Sequence, residues 1–172
     1  DVAGGTVSYS LSGADAGAFS INSSTGVVTI NAIPNYEAKS SYSINVVASD
    51  GTLSSSKAVT VTVADVAPTI SSGAAGSVTE GAAAGTTVYT AAATDPSGGT
   101  VSYSLSGADA AAFSINSSTG EVTINAIPDY EAKPSYSFSV VASDGTLSSS
   151  QAVSVSVSDV APSFSSGAAG SV

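Results

Sequence analysis

Short runs with an apolar residue at every second position dominate this chain: Val101, Tyr103, Leu105; Phe113, Ile115; Val122, Ile124; Tyr136, Phe138, Val140; Val153, Val155, Val157. A spacing of two puts these side chains on one face of an extended segment and the intervening Ser and Thr on the other. Each run therefore predicts a half-buried β-strand. Between the runs lie Pro96-Ser97-Gly98-Gly99, Asn116-Ser117-Ser118-Thr119-Gly120 and Asp144-Gly145, where Gly and Asn tolerate the positive φ of tight connections. The expected strands are Gly76–Thr79, Thr86–Ala93, Thr100–Ser106, Ala112–Asn116, Glu121–Ala126, Ser135–Ser143 and Gln151–Ser158. Seven short strands at this density predict an all-β fold, an antiparallel Greek-key sandwich of immunoglobulin-like architecture.

The pattern occurs more than once. Tyr9 returns as Tyr103, an offset of 94, and residues 1–78 map onto 95–172 without a gap and with 14 differences in 78 pairs. An offset of that size is one independently folding domain rather than a solenoid unit, so the expected organisation is tandem sandwiches placed end to end. Boundaries fall at Asp65-Val66-Ala67-Pro68 and its copy Asp159-Val160-Ala161-Pro162, where proline leaves the ladder and stiffens the link. Residues 1–67 are then a partial repeat without the first two strands, 68–161 a complete repeat, and 162–172 the start of a third. Two completions are open: covalent continuation of the chain, or strand addition by the tail of a neighbouring chain.

Composition narrows the function. The chain has 13 acids, three lysines (Lys39, Lys57, Lys133) and no Arg, His, Cys, Met or Trp, for a net charge of −10. That balance argues against nucleic acid and anionic membranes as partners, and no apolar run reaches the ~20 residues of a membrane span. Absent Cys removes disulfides and thiolate metal sites. Absent His leaves the hydroxyls no base for nucleophilic catalysis, so an enzyme is not expected. Asn22 and Asn116 head glycosylation sequons in exposed turns. Lys133, between Glu131-Ala132 and Pro134, is expected in an exposed connection rather than in a crosslink. Surfaces of Ser, Thr, Ala and Gly, with charged residues only 9% of the chain, suit a fibre with lateral self-association.

Strand direction places the acids. Asp159 closes the last strand, and Asp129 and Glu131 lead into its antiparallel neighbour, so these lie at one end together with Glu80. Asp95 and Asp144 follow strands that run the other way and lie at the opposite end. At the joint between repeats Glu37 and Asp65 of the first are thus expected to meet Asp95 and Asp144 of the second. Four such carboxylates repel unless raised pKa values neutralise some of them or a divalent cation bridges them, and an all-oxygen set without His or Cys suits Ca²⁺ rather than Zn²⁺. Asp15, Asp109 and Glu121 are expected to be ordinary solvated turn residues.

In family order the chain carries Ala93-Thr94-Asp95-Pro96-Ser97-Gly98, Phe113-Ser114-Ile115 with Thr119-Gly120-Glu121-Val122, Asp129-Tyr130-Glu131, Val141-Ala142-Ser143-Asp144-Gly145 and Val157-Ser158-Asp159-Val160-Ala161-Pro162. Together these resemble a bacterial cadherin-like repeat. The resemblance implies Ca²⁺ between successive domains, held by Glu80, by Glu131 and Glu37, by the linker Asp65 and Asp159, by Asp1 and Asp95, and by Asp50 and Asp144. The linker here lacks the family's additional Asn and acid, and Ser97 (Ala3 in the first copy) stands where the family has a second Asp. That predicts reduced occupancy, one ion per joint or fewer. The expected role is an extracellular, cell-surface, non-enzymatic spacer of a bacterial adhesin or surface fibre, touching neighbouring repeats of the same or like chains. Alternatives are a subunit of a self-assembling extracellular filament and, last, a carbohydrate-binding module, which would want exposed aromatic platforms, whereas Tyr9, Tyr42, Tyr103 and Tyr136 take inward positions.

Overall fold

A computed structural model describes residues 5–163; Asp1 and nearly all of the tail from Pro162 to Val172 lie outside the described residues. The structure divides into two compact units, one running to Val66 and including Pro96–Gly99, the other formed by Ala67–Asp95 and the chain from Thr100 onward.

Among the described residues unit 1 has five strands: β1 (Ser8–Ser12), β2 (Phe19–Ile21), β3 (Val28–Ile30), β4 (Ser41–Ser49) and β5 (Ser54–Thr62). They form a sheet in the order β1-β4-β5 and a β2-β3 hairpin. Ile44 and Phe19 are its buried centre, with the Phe19 ring edge-on to Tyr42 at 5.3 Å. Unit 1 also gathers Pro96–Gly99: the Val66 N–H donates to Ser97 Oγ (2.8 Å), the Tyr36 N–H to the Ser97 carbonyl (3.2 Å) and Asn35 Nδ2 to the Gly98 carbonyl (3.0 Å).

Unit 2 begins with β6 (Thr69–Ile70), β7 (Ala75–Thr79), β8 (Thr87–Thr90) and β9 (Ala93–Thr94). It continues with β10 (Ser102–Ser106), β11 (Phe113–Ile115), β12 (Glu121–Ile124), β13 (Ser135–Ser143) and β14 (Ser148–Ser158). One sheet is ordered β10-β13-β14-β7, the other β11-β12-β8, with β6-β9 a small third pair. Among the described residues all pairings are antiparallel except β7 with β14, which is parallel; the expectation of an antiparallel sandwich is corrected at that pair. The second expected strand breaks into β8 and β9 because Ala91 N–H turns to the Gly120 carbonyl (2.9 Å). Gly120 has φ +73°, and a Cβ there would run into the Ala91 carbonyl, so only glycine permits the approach. A single 3-10 turn, Ala110–Ala112, precedes β11 where Ala112 was expected to be extended.

The core of unit 2 follows the period-two pattern. Val140, Ala142, Val122 and Val155 are wholly buried and Phe138, Ile124 and Val153 nearly so, while the serines between them face solvent. Phe138 packs at 4.8 Å from the Phe113 ring and at 6.5 Å, edge-on, from Tyr89. The strand registers repeat between units: Tyr9 opposes Ala48 as Tyr103 opposes Ala142, and Phe19 opposes Ile30 as Phe113 opposes Ile124.

A candidate cation site at one end of unit 2

Three features of the chain bring acids to one end of unit 2. The parallel pairing of β7 and β14 makes both strands finish there, which delivers Glu80 after Thr79 and Asp159 after Ser158. The connection from β12 to β13 turns at the same end, because the Gly81 N–H donates to the Pro128 carbonyl (2.9 Å) and the Val157 N–H to the Pro134 carbonyl (2.9 Å). Within that connection Asp129 caps its own turn, its Oδ1 accepting from the Ala132 N–H (3.0 Å), so that Glu131 is carried to the acid end.

A carboxylate oxygen from each of Glu80, Glu131 and Asp159 lies within 4.8 Å of the other two. Two oxygens bound to one Ca²⁺ at about 2.3–2.6 Å lie at most about 5 Å apart, so this spacing suits that ion. The donor set is hard oxygen throughout, and the site is open enough for water and backbone carbonyls to complete six to eight ligands. Glu80 is the best held of the three. Its Oε1 accepts from the Val160 N–H (2.6 Å) and its Oε2 from the Tyr130 N–H (3.2 Å), tying the outgoing linker to the β12–β13 connection. Those two N–H groups, Val160 first, hold its carboxyl below the ordinary value of 4.5 against partial desolvation, keeping it ionised and ready for a cation.

Asp95 and Asp144, expected at the opposite end, also come within 4.8 Å of each other through one oxygen each. Asp144 has a structural duty: Oδ1 accepts from the N–H of Thr146 (2.7 Å), the Thr146 hydroxyl (3.0 Å) and the N–H of Leu147 (2.7 Å), closing the β13–β14 hairpin. Among the described residues its Oδ2 accepts nothing. Asp50 does the same for β4–β5, accepting from Leu53 N–H (2.8 Å), Thr52 N–H (2.9 Å) and the Thr52 hydroxyl (2.9 Å); these bonds, Leu53 first, lower its pKa to about 2. Glu37 and Asp65 belong to unit 1, Glu37 exposed beyond Pro34 and Asp65 in the segment after β5.

One expectation about charged residues is overturned. Asp109 is not a solvated turn residue: its Oδ1 pairs with Lys133 Nζ at 2.5 Å and its Oδ2 accepts from the Ser137 N–H at 2.8 Å. Lys133 lies in the connection before β13 with its side chain 44% exposed, as expected, and its Nζ sits 4.9 Å over the Tyr136 ring. Asp15, Lys39, Ser43 and Tyr42 repeat this arrangement in unit 1, with Lys39–Asp15 at 2.5 Å. Lysine lowers both aspartate pKa values, keeping the carboxylates ionised; condensation to an isopeptide would need the opposite. Glu121 is also engaged, accepting from the Thr87 hydroxyl (2.5 Å) across β8–β12. The signal available in the sequence was the Asp–Lys separation of 24, identical in both copies.

A profile of the cadherin domain matches residues 1–64 and 74–158. The chain belongs to the cadherin-domain family. Among relatives, Protocadherin Fat 4 of Homo sapiens is 34% identical over 165 residues, covering 91% of this chain and 3% of that protein. Protocadherin Fat 4 of Mus musculus is 35% identical over 172 residues, covering 93% of this chain and 4% of that protein. The chain thus spans a few hundredths of the length of the curated relatives it matches. Among solved structures, mouse cadherin-23 EC22-24 aligns with a TM-score of 0.55 at 30% identity, over 90% of this chain and 53% of that one. The protocadherin gammaB7 EC3-6 cis-dimer structure aligns with a TM-score of 0.54 at 29% identity, over 89% and 41%. As a cadherin-domain segment the chain is an extracellular, adhesion-type and non-enzymatic β-sandwich protein. Among the described residues no helix is long and apolar enough to cross a membrane.

Proposed function

We propose that this chain is a Ca²⁺-stiffened spacing segment of a surface adhesin or fibre. The observation that carries the reading is the trio Glu80, Glu131 and Asp159, three carboxylates whose oxygens suit one hard divalent cation and whose anchor, Glu80, is fixed to the outgoing linker. Bound there, Ca²⁺ joins the end of β7, the β12–β13 connection and the linker at Asp159, so the exit direction of the chain becomes part of the folded unit.

The same reading assigns residues 1–67 to an incomplete repeat, 68–161 to a complete one and 162–172 to the start of a third. It gives Glu37 and Asp65, on the strength of strand direction, and Asp95 and Asp144 to a second site of the same kind. Asp1 and Asp50 are the first-copy counterparts of Asp95 and Asp144. Ser97 in place of an acid removes one ligand, and the Val66 N–H bond to its hydroxyl gives that residue a clamp role instead. A bacterial surface is favoured by a chain almost without Lys and Arg and by two copies that differ at only 14 of 78 positions. The complete repeat carries eight acids against Lys133. An array of such units repels itself along its length, and divalent ions both screen and lock it.

Calorimetric melting in Ca²⁺ against EDTA tests the reading, for wild type and for Glu80→Gln and Asp159→Asn. An ion that binds only the folded form, at a hundredfold excess over Kd, stabilises by about 2.7 kcal/mol, which raises the melting temperature of a domain this size by roughly 10–20 °C. The variants should lose most of that rise. Identical melts in Ca²⁺ and EDTA would leave the acid end held by hydrogen bonds alone.

A further inference from the structure

We propose, resting on the cation reading above, that Asp109, Lys133 and Asn125 are positioning residues for a divalent cation at Glu80, Glu131 and Asp159. Through them the short turn ahead of β11 grips both ends of the β12–β13 connection and presents the Glu131 carboxylate. The need for such a grip lies in the connection itself. From Ala126 to Pro134 it carries no strand, Ile127 is 66% exposed and Pro128 alone is buried, so apolar packing fixes it at one point. An exposed irregular segment with so few buried contacts opens easily. A ligand carried on it gives up affinity to the freedom it must surrender on binding.

At the near end of the connection Asn125 is bound three ways. Its N–H donates to the Ala112 carbonyl (2.9 Å), its Nδ2 to the Ala111 carbonyl (3.2 Å), and its Oδ1 accepts from the Ser114 hydroxyl (2.7 Å). At the far end Lys133 Nζ pairs with Asp109 Oδ1 (2.5 Å) above the Tyr136 ring. The turn from Asp109 to Ala112 thus receives both ends. It is itself fastened to β13, because the Asp109 N–H donates to the Ser137 carbonyl (3.2 Å) while Asp109 Oδ2 accepts from the Ser137 N–H (2.8 Å). Between the two grips the Ala132 N–H donates to Asp129 Oδ1 (3.0 Å) and the Lys133 N–H to the Asp129 carbonyl (2.9 Å). Glu131 therefore sits inside a closed turn whose last residue is clamped.

The same bonds recur in unit 1. There the Asn31 N–H donates to the Ala18 carbonyl (2.9 Å), Asn31 Nδ2 to the Gly17 carbonyl (3.3 Å), and the Ser20 hydroxyl to Asn31 Oδ1 (2.7 Å). Lys39 pairs with Asp15 (2.5 Å), two residues after Glu37 as Lys133 stands two after Glu131. A partner that orients a metal ligand from outside is worth about 10–100-fold in affinity. Charge alone predicts the reverse for Lys133: an ammonium so close to Glu131 repels a divalent cation, and removing it would tighten binding. The two roles of Lys133 thus have opposite signs.

The experiment titrates Ca²⁺ into the metal-free 172-residue chain and follows the amide resonances of Tyr130 and Val160, which report this site because both N–H groups donate to Glu80. Wild type is compared with Lys133→Met, Lys133→Arg and Asn125→Ala, and retained amide protection in β13 and β14 shows that each is folded. Lys133→Met and Asn125→Ala should weaken Ca²⁺ binding at least about tenfold. Lys133→Arg, which keeps a donor for Asp109, should recover most of that loss. In EDTA the N–H groups of residues 132 and 133 should exchange faster in Lys133→Met than in wild type. Asn125→Ala, neutral in charge, decides if Lys133→Met does not fold. A folded Lys133→Met that binds Ca²⁺ as wild type does, or more tightly, or that keeps wild-type exchange at 132 and 133, overturns the proposal and leaves the cation reading standing. Wild-type resonances that ignore Ca²⁺ would end both.

Discussion

Gly76 is a strand position at which one added carbon should be costly on packing grounds alone. It lies in β7, directly beneath β8, and a Cβ there would stand 2.5 Å from the Val88 carbonyl oxygen, 3.2 Å from Val155 Cγ2 and 3.3 Å from Tyr89 Cβ. The nearest atom is backbone of a paired strand, so it cannot rotate aside. β7 must move outward by most of an ångström, against its ladder with β14 and the buried Val78. Overpacking of this kind costs about 1–3 kcal/mol, and the rigid obstacle puts Gly76→Ala in the upper half of that range. For a domain near a hundred residues each kcal/mol moves the melting temperature by about 4–8 °C, so a fall of roughly 10–20 °C is expected. Gly73→Ala is the matched control, because nothing lies within 4 Å of its added carbon. Calorimetric melts of the two variants at neutral pH give the answer. If Gly76→Ala melts within about 2 °C of Gly73→Ala, the close approach of β7 and β8 is wrong and the reasoning with it.

Phe138→Ala should destabilise unit 2 by about 3–5 kcal/mol, because the ring is almost fully buried between Phe113 and Tyr89; denaturant titration with an unchanged slope would show it. Acid should act through groups whose folded pKa is depressed. Their contribution is complete above the ordinary carboxylate value and is lost as pH falls through the folded one. Asp50→Ala should therefore melt below wild type at pH 7, with the gap closing between 3.8 and about 2. Asp109→Asn should behave alike, its gap closing below 3.8 as the pair with Lys133 is lost; a gap independent of pH would assign these residues a packing role instead.

The sandwich was legible because its strands are amphipathic at period two and its turns carry their own chemistry. Phe138, Val140 and Val155 announce themselves as core, and Asn116 and Asp144 as turn formers. The position of Glu80, Glu131 and Asp159 followed from strand direction alone, since chain reversal fixes which ends coincide. The Asp109–Lys133 pair was harder to see. Its members lie in irregular segments where no periodicity relates one residue to another, and the pairing depends on how β13 places Ser137 and Tyr136 beneath them. The parallel β7–β14 pair was equally hidden, for an edge strand with a single large apolar residue, Val78, fits either direction by pattern. The grouping of Pro96–Gly99 with unit 1 rests on the Ser97 hydroxyl, the Asn35 side-chain amide and one backbone bond, all in irregular segments where no periodicity announces a partner.

Ile44 and Phe138 occupy the same place in the two units, each almost completely buried. Units so alike in sequence and register can trade strands while folding, the characteristic failure of arrays with near-identical neighbours. A β4 inserted in place of β13 would set Ile44 before Phe113 and Tyr89 and leave a void where the ring belongs. The reverse exchange would press a phenyl ring into space shaped for isoleucine. Either error costs on the order of 1–3 kcal/mol. This single core difference thus acts as a mark of identity, by which each unit favours its own strand over its neighbour's as the chain emerges and folds.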